Sequence, residues 1–243
     1  MTILWLTLVI AAVSMLYASV GQAGGSGYLA AMALLGVPQA VMKPTALVLN
    51  ILVATISTLK FSRAGYFAWA AFWPYFVTSV PAAFVGGALS LSTSAYNMIV
   101  GMVLLYAAFR LFRVTQAAPS TCIQSPPLWI ALIAGVSVGL LSGSTGIGGG
   151  IVFGSLLLSR RWAETRQTLG MSAVINLTNS AAGLLGHLAS VMALPSAIPL
   201  WAATAMIGGW VGAEYGSRRF SQLTLQRLLA LVLTIAGLKL ILA

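Results

Sequence analysis

Ten apolar runs follow one another along the chain, and this pattern limits the fold more than any other feature. Most of them approach the roughly 20 helical residues needed to cross about 30 Å of hydrocarbon. Only 6% of the 243 residues are charged, against about a quarter in a soluble domain. The sequence therefore predicts an all-α polytopic membrane protein. The runs cover residues 3–20, 25–36, 44–59, 67–90, 95–113, 128–142, 147–158, 168–189, 195–216 and 222–242.

The first half of the chain resembles the second. The segment "SVGQAGGSGYL" at 19–29 aligns with "LSGSTGIGGGI" at 141–151, and each glycine cluster leads into a run too short to cross a membrane. Farther on, Asn50 aligns with Asn176, an offset of 126 residues. Because these matches occur in the same order, we interpret the chain as a duplicated unit.

Each half contains five apolar runs, and an odd number makes two copies in series face opposite ways across the membrane. The fold predicted is thus two inverted-topology repeats, each with a glycine-rich helix break or re-entrant hairpin. We place the first repeat at 1–113 and the second at 128–243. Between them, residues 114–127 form a polar stretch with prolines, which we interpret as a cytoplasmic linker.

The charges support one orientation. The chain has 12 Lys and Arg residues against two acids, for a formal net charge of +10. With the linker cytoplasmic and both termini outside, only Lys43 and Lys239 fall on the outer side, as the positive-inside rule requires. Trp5 and Trp201 would then lie in the outer aromatic belt. We expect a multi-pass protein of the bacterial inner (plasma) membrane. The ten inner residues are Lys60, Arg63, Arg110, Arg113, Arg160, Arg161, Arg166, Arg218, Arg219 and Arg227.

Residues suited to enzyme chemistry are scarce. The chain has one cysteine, Cys122, one histidine, His187, and no aspartate. A metal centre or a nucleophile–base pair needs more such side chains. We therefore expect no enzyme activity and no cofactor. The positive charge is explained by topology, so we expect no nucleic-acid partner either.

The stretch "SGSTGIGGG" at 142–150 matches neither the dinucleotide fingerprint nor the P-loop, because no lysine follows it and no strand precedes it. Glycines spaced by four residues predict close helix packing, and we assign that role to two series. The denser clusters favour a broken helix, whose half-helix N-terminus would aim its N–H groups at an anion. Packing alone remains the alternative. The two series are Gly135, Gly139 and Gly143, and Gly208, Gly212 and Gly216.

Polar side chains stand inside two matched runs. Asn50 and Asn176 are predicted to line one central cavity with neighbouring hydroxyls, because polar residues within a span face the bundle interior. A plain interhelical hydrogen bond, worth about 0.6 kcal/mol, is the alternative. The predicted substrate-binding residues are Gly21, Gly24, Gly25, Ser26, Asn50, Ser57, Ser144, Thr145, Gly146, Gly148, Gly149, Asn176 and Ser180.

Three ionisable residues have plainer interpretations. Lys43 is expected to snorkel to the outer interface, although it could also attract anions. Glu214 is expected to pair with Arg218 four residues later, with proton coupling as the alternative. His187 is expected to be a packed or interfacial histidine.

The repeated order of glycine cluster, short apolar segment, basic turn and polar-centred span resembles the sulfite exporter TauE/SafE family. The residues that carry the resemblance are "GQAGGSGYLAAMALLGVPQAVMKPTALVLNILVATIS" at 21–57 and "GSTGIGGGIVFGSLLLSRRWAETRQTLGMSAVINLTNS" at 143–180. Two departures concern the site. Ser26 stands where the second half has Gly148, and the family's proline after the second glycine cluster is missing.

The resemblance implies transport of small sulfur-containing anions such as sulfite, sulfonates and sulfoacetate. We therefore expect a permease or exporter working by alternating access, with a small anion and the lipid bilayer as partners. A homo-oligomer stays open, as do the coupling ion and the direction. The alternative function is a non-transporting membrane scaffold subunit.

Overall fold

The computed structural model describes residues 2–19, 22–65, 67, 69–113, 126–188, 194–216 and 222–242, and over these residues it contains ten α-helices and no strand. The all-helical prediction is therefore confirmed for the described part of the chain. The helices are α1 (Thr2–Ser19), α2 (Gly25–Leu34), α3 (Gln39–Arg63), α4 (Trp69–Ala88), α5 (Thr93–Arg113), α6 (Leu128–Thr145), α7 (Gly150–Ser159), α8 (Thr165–Leu188), α9 (Ile198–Gly216) and α10 (Gln222–Leu242).

Each helix corresponds to one apolar run, but their lengths differ. α2 and α7 have 10 residues each, about 15 Å at 1.5 Å per residue. The others have 18 to 25 residues, enough to cross a membrane. By length and composition together, α3 over Ala40–Arg63 and α6 over Leu128–Thr145 qualify as spans among the described residues. α3 begins earlier than predicted because extended Pro38 forms its N-cap and the helix continues through Pro44.

Helix packing joins the first five helices to the last five. α1 packs on α9, and α6 packs on α4 in the reciprocal arrangement. α3 packs on α8, and α5 packs on α10. The short helices follow the same scheme, because α2 contacts α10 and α7 contacts α5. The core is therefore built between the two halves of the chain.

Glycines allow the closest of these contacts. On α6, Gly139 faces the carbonyl of Ser79 and Gly143 faces the carbonyl of Ala83, so a Cβ atom at either position would collide with the α4 backbone. On α9, Gly212 faces the backbone of Met15 in the same way. The packing role predicted for the glycine series is confirmed at these positions.

Large apolar side chains cover much of the outer surface of the bundle. Trp5, Trp69 and Trp129 are all exposed, as side chains facing lipid would be. The prediction for Trp201 was wrong, because this side chain is only 4% exposed and packs in the core with residues of α1 and α2. Its position near a helix end did not reveal which side of the helix faces the core.

Candidate functional site

The four residues between α6 and α7 leave the helical conformation. α6 ends at Thr145, and Gly146, Gly148 and Gly149 have φ angles of 85°, 87° and 82°. This left-handed region disfavours residues with a Cβ atom, which explains the glycines. α7 then begins at Gly150. We call residues 146–149 the glycine segment.

The first glycine cluster contacts this segment from the other half of the chain. Gly24, with φ 99°, forms the N-cap of α2, and Gly25 is the first residue of that helix. A Cβ atom on Gly25 would collide with the carbonyl of Ile147 and the side-chain amide of Asn50. Gly21 lies outside the described residues.

The two matched asparagines both contact the glycine segment and its flank. The Nδ2 group of Asn50 donates a hydrogen bond to the carbonyl of Gly146 at 3.3 Å. The Oδ1 atom of Asn176 accepts one from the backbone N–H of Gly150 at 2.8 Å. Between them, a Cβ atom on Gly148 would lie 2.6 Å from Asn176 Oδ1 and 2.8 Å from Asn50 Nδ2. Both asparagines are buried.

Four buried polar atoms around the glycine segment have no hydrogen-bond partner among the described residues. They are Asn50 Oδ1, Ser142 Oγ, Asn179 Nδ2 and Ser180 Oγ. Ser180 faces Gly148, while Ser142 and Asn179 face Gly149. Buried polar groups are nearly always hydrogen-bonded in native proteins. The four atoms can therefore bind a small polar ligand, and we call these residues with Asn176 the central cluster.

Two predicted residues lie outside the central cluster. The Ser26 hydroxyl is hydrogen-bonded to the hydroxyl of Tyr17 at 2.6 Å, so it joins α2 to α1. Ser57 is buried on α3, but it lies two turns beyond Asn50, about 10 Å along the helix axis.

Two further predicted residues, Ser144 and Thr145, lie at the C-terminal end of α6. The Thr145 hydroxyl bonds the carbonyl of Leu141 and accepts the N–H of Ile147 at 3.3 Å, which stabilises the turn into the glycine segment. The Ser144 hydroxyl donates to the same Leu141 carbonyl at 3.3 Å. Ser144 also lines a cavity on one side of the segment.

The list of predicted substrate-binding residues omits Asn179, Ser142 and Tyr96, although the sequence already indicated Asn179 as a neutral donor near the predicted cavity. Asn179 follows Asn176 by three residues, a spacing that places both on one helix face and was a usable signal. Its Oδ1 atom accepts a hydrogen bond from Ser79 on α4 at 2.9 Å. The hydroxyl of Tyr96, a residue of α5, donates a hydrogen bond to the carbonyl of Thr145 at 3.0 Å. Nothing in the local sequence indicates this contact.

The side chains of the central cluster are all neutral, and one cation, Lys43, lies beside the glycine segment. The expectation that Lys43 snorkels was wrong, because it is only 6% exposed and its ammonium donates to the Gly87 carbonyl at 2.9 Å. Its backbone lies beside the glycine segment, 3.1 Å from the position of a Cβ atom on Gly146.

Glu214 contacts a lysine of another helix. Its carboxylate lies 2.7 Å from the ammonium of Lys60, with half of the glutamate side chain exposed. Arg218, the partner expected from the sequence, lies outside the described residues, so that pair stays a prediction.

Comparison with known proteins agrees with a membrane transporter. The profile described as "Sulfite exporter TauE/SafE" matches residues 6–240. The "Probable membrane transporter protein y4hK" of Sinorhizobium fredii (strain NBRC 101917 / NGR234) is 40% identical over 232 residues, which is 94% of each chain. No solved structure matches the chain significantly. Proteins of this type are membrane transporters and not enzymes. The chain therefore belongs to the sulfite exporter TauE/SafE family of membrane transporters.

Proposed function

We propose that this transporter moves a small anion, a sulfur-containing oxyanion or an organosulfonate, and binds it at the central cluster. The observation that carries the proposal is the approach of Asn50 and Asn176, from two different helices, to the same residue, Gly148. Two amides and a glycine segment at one buried point provide donors without a fixed charge. The description of the family as sulfite exporters supports a sulfur-containing substrate.

The donors suit an anion with three oxygens on one sulfur atom. The hydroxyls of Ser142 and Ser180 and the Asn179 amide nitrogen are buried and unpaired within the described protein. Each can donate to one oxygen of a sulfite or sulfonate group. The N-termini of α2 and α7 begin beside the cluster, and their dipoles favour negative charge. A neutral site also releases an anion more readily than a buried cation would.

An inverted repeat with alternating access is the mechanism that we propose. The reciprocal packing of α1 on α9 and α6 on α4 supports this mechanism. In a repeat of five helices, α6 corresponds to α1 and α4 corresponds to α9, so the two contacts are equivalent. The short helices α2 and α7 occupy matching places in that scheme. Rocking of one half against the other would then expose the central cluster to each side in turn.

The orientation that we propose is the one predicted from charge. The linker would be cytoplasmic and both termini external, in a bacterial inner membrane. Lys60 and Arg63 at the end of α3 would then face the cytoplasm. The N-terminus of α3 and the C-terminus of α4 would lie on the outer side.

Uptake of sulfite and sulfoacetate into proteoliposomes tests the function. We expect Asn50→Ala and Asn176→Ala to abolish uptake while the protein is still inserted and monodisperse. Thr55→Ala on α3 and Thr178→Ala on α8 are matched controls, because both hydroxyls bond carbonyls of their own helices. A scaffold subunit would instead give no flux above empty liposomes, and full activity of both asparagine variants would remove the central cluster from the pathway.

A further inference from the structure

A cavity of about 560 Å³ opens beside the central cluster. Its walls come from the beginnings of α3 and α5, the loop that follows α4, and the ends of α6 and α8. Pockets that bind small molecules have volumes of roughly 300 to 1,000 Å³, so an organosulfonate fits within this one. The polar lining residues are Lys43, Ser90, Thr93, Tyr96, Ser144 and His187.

The cavity adjoins the glycine segment at two points. Ser144 lines it and stands two residues before Gly146. Lys43 lines it as well, and the backbone of Lys43 packs against Gly146. The last turn of α6 and the start of the glycine segment therefore adjoin both the cavity and the central cluster.

The Lys43 ammonium is held in a way that leaves its charge unneutralised. It donates to carbonyls at and just beyond the end of α4, at 2.9 Å from Gly87, 3.4 Å from Leu89 and 3.5 Å from Gly86. Only the first of these distances is typical of a strong hydrogen bond. Carbonyl oxygens carry partial charge, so they solvate the ammonium without cancelling its charge.

Among the described residues, no side-chain carboxylate pairs with Lys43. The chain has two acids, Glu164 and Glu214. Glu214 pairs with Lys60, and Glu164 follows α7 at the end opposite to the glycine segment. Ionisable residues buried within a membrane bundle are costly and usually mark a substrate pathway or have a charged partner. Here the missing negative charge can be supplied by the substrate.

We infer that Lys43 and this cavity form a second anion-binding subsite, through which the substrate reaches the central cluster. The sulfonate or sulfite group binds the Lys43 ammonium, which exchanges its two long carbonyl contacts for the anion oxygens. His187 lines the same cavity and forms the neighbouring wall. The inference rests on the proposed function, because it assumes that the transported solute is an anion.

Lys239 provides a matched control for Lys43. Its ammonium also binds the C-terminal carbonyls of a helix, at 3.0 Å from Ala33 and 2.9 Å from Leu34 of α2. It does not line the cavity. Lys43→Met and Lys239→Met therefore both remove a lysine cap from a helix end, but only the first removes charge from the proposed subsite.

The experiment measures KM and maximal rate for sulfite and sulfoacetate uptake in proteoliposomes, together with the anion-induced shift in Tm. We expect Lys43→Met to raise KM about 10- to 100-fold, the usual value of a hydrogen bond to a charged group. Lys43→Arg should restore most of the affinity. Lys239→Met should lower Tm without the selective change in KM. Equal KM changes in the two methionine variants would overturn the subsite.

A second pair of variants leaves Lys43 in place, in case its replacement prevents folding. Ser90 is exposed at the cavity rim. Ser90→Asp adds a carboxylate that competes with the substrate for Lys43, whereas Ser90→Asn adds a similar volume without charge. We expect KM to be at least severalfold higher for Ser90→Asp than for Ser90→Asn. Equal KM values for these two variants would reject the subsite. If the wild-type protein neither binds nor transports either anion, the proposed function itself fails.

Discussion

The side-chain oxygen of Asn176 accepts the backbone N–H of Gly150 at 2.8 Å. The middle of α8 thereby holds the first residue of α7, the helix that starts immediately after the glycine segment. The first N–H groups of a helix have no partner within it, and Asn176 provides one. The same side chain faces Gly148, so one residue both holds the start of α7 and belongs to the central cluster.

Replacing this asparagine is expected to affect stability as well as transport. Asn176→Ala leaves the buried N–H of Gly150 unpaired, which costs about 1–3 kcal/mol of unfolding free energy. Ser180→Ala removes a hydroxyl that has no partner among the described residues, so Tm should be unchanged or slightly higher although uptake falls. Tm in detergent and uptake in liposomes measure the two effects. A similar fall in Tm for both variants would contradict the assignment of the Ser180 hydroxyl as a substrate-binding group without a structural role.

The space around Gly148 is expected to be as important as its backbone conformation. Gly148→Ala introduces a Cβ atom among Asn176, Asn50 and Ser180 at a φ of 87°. Gly36→Ala has a comparable φ of 71° but open space around it, so it costs only the backbone strain, about 1–2 kcal/mol. We expect Gly148→Ala to abolish uptake and Gly36→Ala to retain it. If both variants lost uptake, backbone strain alone would explain the loss in Gly148→Ala.

The contact between α6 and α4 is expected to be sensitive to side-chain size. Gly139→Leu forces a side chain into the backbone of Ser79, and such overpacking typically costs 1–3 kcal/mol or more. Ser137→Leu adds the same side chain on the exposed side of the same helix. Only the first variant should lower Tm markedly. Equal Tm values for the two variants would show that α6 and α4 can move apart without a loss of stability.

The orientation can be tested with the single native cysteine. Cys122 belongs to the predicted cytoplasmic linker. A membrane-impermeant maleimide should label it in inside-out vesicles and not in intact cells. Ser92→Cys in a Cys122→Ser background should show the opposite pattern, because Ser92 is exposed in the loop before α5 on the predicted outer side. The reverse result for both cysteines would invert the orientation that we propose.

Glu214 is expected to be dispensable for transport. Its side chain is half exposed and pairs with Lys60, and exposed ion pairs contribute about 0–1 kcal/mol. Glu214→Gln should therefore retain uptake with an unchanged pH profile. A pH profile that flattens in this variant would instead support the proton-coupling alternative.

The candidate site was only partly predictable. Asn50 and Asn176 were selected because an amide within an apolar run has to face the protein interior, and both contact the glycine segment or its flank. Ser57 was selected for the same reason, yet it lies too far along α3 to join them. Periodicity gives the face of a helix but not the depth at which a neighbouring helix crosses it.

The sequence by itself determined the helical, membrane-spanning class, because a chain so poor in charge cannot cover a water-facing surface and its long apolar runs have the length of membrane-crossing helices. The glycines between α6 and α7 also suit the left-handed backbone found there, because residues with a Cβ atom avoid it. Only the tertiary structure decided that Trp201 and Lys43 are buried, and that Tyr96 and Asn179 meet the end of α6 and the glycine segment. Their surroundings come from helices distant in sequence, and local pattern carries no information about which helices those are.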